Sequence, residues 1–239
     1  MKVSVLTSSS AGNSIVVECN GQRFLVEAGI SPNACSRLLH RHDMRLANMR
    51  AVICSHQHSD HSKFLPQYAA RGIRGGIGPA GIAALDGFVD CRAFATPHDA
   101  PGGTYGFHIV ERGTNSALCV IMDAGSFNTA MRDAINASDC VVIGVDYDDL
   151  MEQNGDYDPS LQSRIRSNTG HCSNQQLADF VHRDWNGRAR TWILAHLSDK
   201  RNSPMLARTR FLEACRPGCN PVVIVSEANK PTDLVSVNL

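Results

Sequence analysis

The chain has 239 residues, 43% of them hydrophobic, enough to bury a core as one large domain or two small ones. Lys plus Arg equals Asp plus Glu at 23 each, so no global basic field draws in a long polyanion, and a small ligand suits this balance better than duplex DNA. No run of about 18 apolar residues offers a membrane span, Met1 to Leu6 lacks the apolar core and cleavage site of a signal peptide, and nine scattered cysteines read as small buried hydrophobes of a reducing compartment, so a cytoplasmic protein with no membrane partner is expected.

In chain order, Lys2 to Thr7 reads as a strand, and Ser14 to Glu18 and Arg23 to Val26 as two more joined across Asn20-Gly21, a dipeptide suited to a tight hairpin. Between the first two lies Ser8-Ser9-Ser10-Ala11-Gly12-Asn13, small residues that let amides and hydroxyls approach a ligand. Ser31-Pro32 is an N-cap followed by proline at the first helical position, opening a helix through Leu38-Leu39. The apolar run Ala51 to Cys54 is a strand, followed by a helix from Ser62 to about Ala70 and a Gly/Pro-rich connector from Gly72 to Gly81. A run of strands then extends to Met122, with Cys91-Arg92-Ala93-Phe94, Tyr105-Gly106-Phe107 and Leu118 to Met122 as its clearest parts. Val141-Val142-Ile143, a helix from about Ser173, Thr191-Trp192-Ile193-Leu194 and Val222 to Val225 complete the pattern. Three early strands without an intervening helix exclude a doubly wound fold.

Directly after Ala51-Val52-Ile53-Cys54 comes Ser55-His56-Gln57-His58-Ser59-Asp60-His61. Three imidazoles and a carboxylate at this spacing can turn towards one point, and neutral imidazole with carboxylate oxygen suits zinc and similar first-row metals. Further donors stand where later strands end: His98 in Thr96-Pro97-His98-Asp99, Asp123 after Met122, and His196 after Ala195. With the first cluster they make seven donors, enough for two ions sharing the carboxylate of Asp123. Cys215 and Cys219 are four apart, but no second pair completes a structural zinc site.

These motifs resemble the metallo-β-lactamase superfamily, whose signature is H-x-H-x-D-H followed by a third His, a bridging Asp and a last His. Ser8 to Ser14, His98-Asp99-Ala100, Gly170-His171-Cys172-Ser173-Asn174 and His196-Leu197-Ser198 are similar to the branch that contains the bacterial exonucleases YycJ and WalJ and phage enzymes that hydrolyse cyclic nucleotides to evade Pycsar defence. Glu27, Asp146-Tyr147-Asp148 and Lys63 look more like the phage enzymes. The resemblance covers nearly the whole chain and implies an α/β fold, a four-layer αβ/βα sandwich, as one domain over residues 1–239. It implies that His56, His58 and His98 hold one divalent ion and Asp60, His61 and His196 the other, with Asp123 bridging. The ions the resemblance implies are zinc, with manganese as the alternative. The implied activity is hydrolysis of a cyclic mononucleotide to a linear monophosphate in phage counter-defence, with 5′-to-3′ DNA exonuclease activity as the alternative. A homodimer whose second subunit closes the site is implied as well, and nucleic acid becomes a partner under the alternative.

Two divalent ions supply a nucleophile from water and draw charge off a phosphoryl oxygen, which leaves a proton to be found for the departing ribose oxygen. His171 is the candidate for that acid, and with Asp60 makes up the catalytic residues. Ser173 and Gln176 form a capping box just beyond it, whose amides favour phosphate; the alternative is a surface His beside a cap. Ser9, Ser10, Asn13, Arg201 and Asn202 are the candidate substrate contacts, Arg201 being either a phosphate contact or a surface residue. Asp99 is expected to orient a ligand imidazole.

Overall fold

The computed structural model describes every residue except 86, 88, 156, 157 and 239. Two six-stranded sheets face each other. In chain order the strands and helices are β1 (Lys2–Thr7), β2 (Ser14–Cys19), β3 (Gln22–Val26), α1 (Pro32–Leu39), β4 (Met49–Cys54), α2 (Ser59–Ser62), α3 (Leu65–Ala69), β5 (Arg74–Ile77), α4 (Pro79–Ile82), β6 (Asp90–Thr96), β7 (Thr104–Val110), β8 (Ala117–Ile121), α5 (Thr129–Asn136), β9 (Cys140–Gly144), α6 (Asp149–Gln153), α7 (Pro159–Ile165), α8 (Asn174–Arg183), β10 (Thr191–Ala195), α9 (Pro204–Ala214), β11 (Val222–Val225) and β12 (Val235–Ser236). The first sheet runs β12-β1-β2-β3-β4-β5 and the second β11-β10-β9-β8-β7-β6.

Strand alternation builds the layers, because successive side chains point to opposite faces. Val3, Val5, Ile15, Val17, Phe24, Val26, Ala51 and Ile53 of the first sheet meet Phe107, Ile109, Leu118, Val120, Val142 and Ile193 of the second in a core between the sheets. Their neighbours in sequence face outwards and are covered by helices. Leu6, Val16, Leu25 and Val52 pack with Cys35 and Leu39 of α1 and Tyr68 of α3. On the far side Ile121, Ile143, Trp192 and Leu194 pack with Met131 of α5, Phe180 of α8 and Phe211 of α9. The order helix, sheet, sheet, helix is the four-layer sandwich expected from the sequence. Among the described residues no helix is long and apolar enough to cross a membrane.

The hairpin forms as expected: Cys19 pairs with Gln22, and Asn20 and Gly21 adopt φ of 50° and 72°. Ser31 caps α1 by accepting from the Ala34 amide at 3.2 Å. Elsewhere the structure corrects the expectation. The connector from Gly72 to Gly81 contains β5 and α4: Gly75 and Gly76 lie flat against β4, where a Cβ on Gly75 would meet the Val52 carbonyl at 2.0 Å. Glycine therefore marks close approach of two strands here rather than a loop. The helix expected from Ser62 to Ala70 is split into α2 and α3, because the Phe64 amide leaves the helix to bond the Ala28 carbonyl at 3.0 Å and Pro66 starts the next segment. Helices α5, α6, α7 and α9 lie outside the predicted elements.

Strands β3, β4 and β5 run parallel, as do β8, β9, β10 and β11. The carboxyl ends of these strands reach the same edge of the sandwich, which is where open α/β sheets present their ligand-binding side chains. At that edge Gly29 seats the metal-donor segment: its amide donates to the Asn13 carbonyl at 3.0 Å, and the Asn13 amide donates to the Asp60 carbonyl at 2.8 Å. A Cβ at Gly29 would lie 1.7 Å from the Asp60 carbonyl oxygen. Gly29→Ala is expected to displace that segment and destabilise the fold by about 1–3 kcal/mol, measured as a lowered urea midpoint; a wild-type midpoint would contradict it.

Candidate metal centre

Each donor leaves its strand at the same place. His56 lies two residues beyond the end of β4, His98 two beyond β6, Asp123 two beyond β8, and His196 one beyond β10. Asp60 and His61 follow on α2. The seven residues that the sequence singled out as metal donors come together at one edge of the sandwich. Donor atoms of His56, His58 and His98 lie within 4.8 Å of one another, and so do those of Asp60, His61 and His196.

Asp123 stands between the two groups, only 3% exposed. Its Oδ2 lies 3.1 Å from His61 Nε2, 3.5 Å from His56 Nε2 and 3.9 Å from His98 Nε2, while Oδ1 lies 3.4 Å from His171 Nδ1 and 3.7 Å from His196 Nδ1. In the first group, His58 Nδ1 is 3.0 Å from His56 Nε2 and 3.2 Å from His98 Nε2. In the second, Asp60 Oδ2 is 3.1 Å from both His61 Nε2 and His196 Nε2.

The tautomers fit a metal. His98 Nδ1 sits 2.6 Å from the Gly170 carbonyl, an acceptor only, so this nitrogen carries the proton and Nε2 presents a lone pair towards His58. His56 Nδ1 is engaged by the Ser55 hydroxyl at 2.8 Å, which again directs Nε2 inwards. Three imidazole nitrogens facing one point at such distances repel unless a cation or protons lie between them. The donor set is nitrogen and carboxylate oxygen, which suits zinc and its neighbours.

Around the donors is a layer of acceptors. His196 Nδ1 lies 3.3 Å from Asp146 Oδ2, and His61 Nδ1 lies 3.5 Å from Glu27 Oε2. Glu27 is itself anchored by the Ser55 amide at 3.2 Å. Both Glu27, at φ 73°, and His196, at φ 58°, adopt the left-handed backbone region, which costs a non-glycine residue about 1–3 kcal/mol and persists where the surroundings over-determine it. At His196 the amide donates to Ser8 Oγ at 2.8 Å while the ring is held by carboxylates at both nitrogens. In the sequence Glu27 and Asp146 stand out only through their likeness to the phage enzymes; their signal is an acidic residue just past a strand end, as at Asp123.

Charges in the metal-free chain follow from these contacts. Burial pushes the His56 imidazole down to about 2, with the neighbouring His61 adding to the effect, and burial likewise lowers His98. For His196 burial alone would lower the value, but the Asp123 charge and the bonds to Asp146 and Asp60 outweigh it and raise it to about 10. His61 is raised in the same way, burial being overcome by Asp123 and Glu27. For Asp123, burial is overcome by His196 and His61, which hold it well below the usual carboxylate range.

The predicted substrate contacts separate. A cleft of about 540 Å³ opens over the donors, and Ser10, His171 and Arg201 line it. Ser9 and Asn13 are buried. The Asn13 carboxamide oxygen accepts from Ser8 Oγ at 2.7 Å and the Ser9 amide at 3.2 Å, and its nitrogen lies 3.4 Å from Asp60 Oδ2 and 3.3 Å from His61 Nε2. Asn13 therefore positions metal donors instead of meeting substrate. Asn202 is also withdrawn: its amide donates to the Val145 carbonyl at 3.1 Å and Asn174 Oδ1 at 3.0 Å, and its oxygen accepts from Asn174 and the Ser203 amide. Arg201 is 5% exposed, so it is not a surface residue.

Three further expectations resolve at α8. Ser173 and Gln176 form the capping box, at 3.1 and 2.8 Å, yet this spends the Ser173 and Gln176 amides, and the Asn174 amide bonds the Tyr147 carbonyl at 2.9 Å. Those three amides are therefore not available to a phosphate. Asp99 makes no hydrogen bond to His98, its Oδ1 lying 3.9 Å from His98 Nε2; it pairs with Arg164 through two bonds of 2.7 and 2.9 Å, and the Gly170 carbonyl takes the His98 Nδ1 proton. His171 is not a surface residue of the cap. Its ring lies 5.0 Å from that of His98 and 5.7 Å from that of His196, with Nδ1 3.4 Å from Asp123 and 3.7 Å from Asp146.

No family model matches the chain. Among curated proteins it is similar to the exodeoxyribonuclease YycJ of Bacillus anthracis, 28% identical over 229 residues covering 86% of this chain and 85% of that one. It is also similar to the exodeoxyribonuclease WalJ of Streptococcus pneumoniae, 25% identical over 233 residues with coverage of 86% and 85%. Among solved structures, the metallo-β-lactamase fold protein YhfI of Bacillus subtilis superposes with a TM-score of 0.67 at 16% identity, covering 97% of this chain and 99% of that one.

Two predictions follow from the geometry. Because metal donors must be deprotonated and the surrounding carboxylates raise the proton affinity of His61 and His196, zinc binding should release protons at pH 7. Apparent affinity should rise with pH towards the raised His196 value of about 10. Calorimetry in buffers of different ionisation enthalpy measures the release; identical heats in all of them would contradict it. Separately, Asp146→Asn should weaken zinc binding by about 10–100-fold in competition with a chelating dye, whereas unchanged affinity would remove Asp146 from its supporting role.

Proposed function

We propose that this chain, which carries the metallo-β-lactamase fold, is a metal-dependent phosphodiesterase that opens cyclic mononucleotides to linear monophosphates. The observation that carries this reading is the placement of His171. Both metal triads and the bridging Asp123 are complete without it, yet it sits against Asp123 and lines the cleft. Hydrolysis of a ribose phosphodiester needs such a group, because an alkoxide is a poor leaving group until protonated.

In this reading His56, His58 and His98 hold one divalent ion, Asp60, His61 and His196 the other, and Asp123 both. When bound, such ions lower the pKa of water and neutralise charge on a phosphoryl oxygen. The protein supplies the rest. Asp123 and Asp146 face Nδ1 of His171; burial would lower its pKa, but these carboxylates outweigh that and raise it. In this reading Nε2 is the nitrogen that hands a proton to the departing ribose oxygen. Glu27 and Asp146 fix the rings of His61 and His196, so the donors need little rearrangement during turnover. The cleft volume of about 540 Å³ lies in the range of small-molecule sites, and the zero net charge fits a mononucleotide.

A second reading is a DNA exonuclease on the same centre. It is favoured by the names of the two relatives, which align over most of their own length. Cyclic mononucleotides and 5′-phosphorylated DNA, assayed side by side at several salt concentrations, separate the two. The first reading expects turnover of the cyclic substrate with shallow salt dependence; processive loss of DNA alone, falling steeply with salt, selects the second.

Since donor atoms of Asp123, His171 and His196 also lie within 4.8 Å of one another, His171 is tested both as acid and as ligand. The pair of substitutions His56→Ala and His58→Ala should remove metal and abolish hydrolysis. His171→Ala should keep both ions and lower kcat by about 100-fold or more. Full activity in the double variant would discard the metal mechanism, and loss of an ion in His171→Ala would reassign His171 as a ligand.

A further inference from the structure

Among the described residues that line the cleft, the apolar ones are Leu161 and Ile165, and both belong to α7. Leu161 is 39% exposed, whereas Ile165 is buried. Arg164, which lines the same cleft, falls between them in sequence. Residues three and four apart share one face of a helix, so α7 turns a guanidinium and two aliphatic side chains together towards a cleft otherwise lined by polar and charged groups.

That face is fixed beside the metal centre. Asp99 accepts from Nε and Nη2 of Arg164 at 2.7 and 2.9 Å, a two-point contact that sets the orientation of the guanidinium plane. Asp99 Oδ1, which accepts from Nη2, also lies 3.9 Å from His98 Nε2, so a single carboxylate oxygen separates the guanidinium from a metal-facing nitrogen of the first triad. The backbone is tied to the same place: the His171 amide donates to the Ile165 carbonyl at 2.9 Å, and the Asp99 amide to the Thr169 carbonyl at 3.0 Å. A Cβ on Gly170 would meet the Arg164 and Ile165 carbonyls at 2.2 Å, so the end of α7 packs closely against the segment that carries the candidate acid.

With its charge balanced by Asp99, Arg164 has little to offer a second anion, but a guanidinium held by its edge keeps its flat face. Arginine stacks through that face on planar π systems, and nucleobases are recognised in this way. Leu161 adds apolar surface that gains from being covered. The complement of this helix face is therefore a flat aromatic ring rather than a phosphate. We infer that Leu161, Arg164 and Ile165 form a nucleobase subsite beside the metal centre, with Arg164 stacking on the ring and Asp99 as the positioning residue that holds the guanidinium flat. The identity of the base as that of a cyclic mononucleotide rests on the function proposed above; the subsite itself requires only a nucleotide.

The test uses the zinc-loaded full chain and compares adenosine 5′-monophosphate, ribose 5-phosphate and inorganic phosphate as probes by calorimetry, alongside KM and kcat for a cyclic mononucleotide. The wild type should bind the nucleotide more tightly than ribose 5-phosphate. Arg164→Lys keeps the charge and loses the plane. It should weaken nucleotide binding by about fivefold, the scale of one cation–π contact, leave both base-free probes at wild-type affinity, and raise KM by a similar factor with kcat little changed. Leu161→Ser, at a position on the surface of α7, should weaken the nucleotide by a smaller factor with the same dependence on the base. Wild-type nucleotide affinity in Arg164→Lys, or an equal loss for all the probes, overturns the subsite. If Arg164→Lys loses zinc, Leu161→Ser decides: a loss confined to the nucleotide sustains the subsite and no loss overturns it. A wild-type protein that cleaves no cyclic nucleotide while its nucleotide affinity still depends on Arg164 defeats the proposed function and leaves the subsite standing.

Discussion

A buried carboxylate that faces five imidazoles organises this molecule. Asp123 could not stay ionised at 3% exposure without compensating charge, and His196 and His61 supply it as protons in the metal-free chain. Divalent ions would supply it more strongly and draw those protons out. The same carboxylate is the contact common to both donor triads and to His171. Metal affinity, proton uptake and the acidity of the candidate acid are thus one linked equilibrium rather than three separate properties.

The fold delivers this arrangement by repetition of one device. Parallel strands end at one edge of two stacked sheets, and the residue one or two places beyond each end turns inwards. Close packing there leaves little slack: Gly144 lies against the Met122 carbonyl, where a Cβ would come within 1.7 Å, and Gly29 lies against Asp60 in the same way. Left-handed backbone at Glu27 and His196 shows that the edge is held in place by its surroundings. The cost of that geometry is offset by the apolar core between the sheets, where each fully buried large side chain contributes about 1.5–3 kcal/mol.

What was legible in the sequence is what is local. His56, His58, Asp60 and His61 stand in one short segment, so their chemistry shows without the fold. His98, Asp123 and His196 were found because each follows an apolar run, and Ser173 with Gln176 because a capping box is a four-residue pattern. Contacts made across the fold were not legible. Glu27 meets His61 only after β3 and β4 align, and Asp146 meets His196 only after β9 and β10 do. The group that orients His98 is a backbone carbonyl, which no residue type announces. Asn13 stands in a loop of small residues and Asn202 follows the last metal donor by six positions, which made both candidates for substrate; here their hydrogen bonds are spent within the wall. β5 was hidden because glycine, which normally weakens a strand, is the residue that lets β4 come close.

The claim on which the rest depends is that the seven donors hold two ions around Asp123. Anomalous scattering from a zinc-soaked crystal tests it most directly. Two peaks about 3.5–4 Å apart, one among His56, His58 and His98 and the other among Asp60, His61 and His196, with Asp123 touching both, are the predicted result. A single peak, or zinc bound away from Asp123, would contradict it.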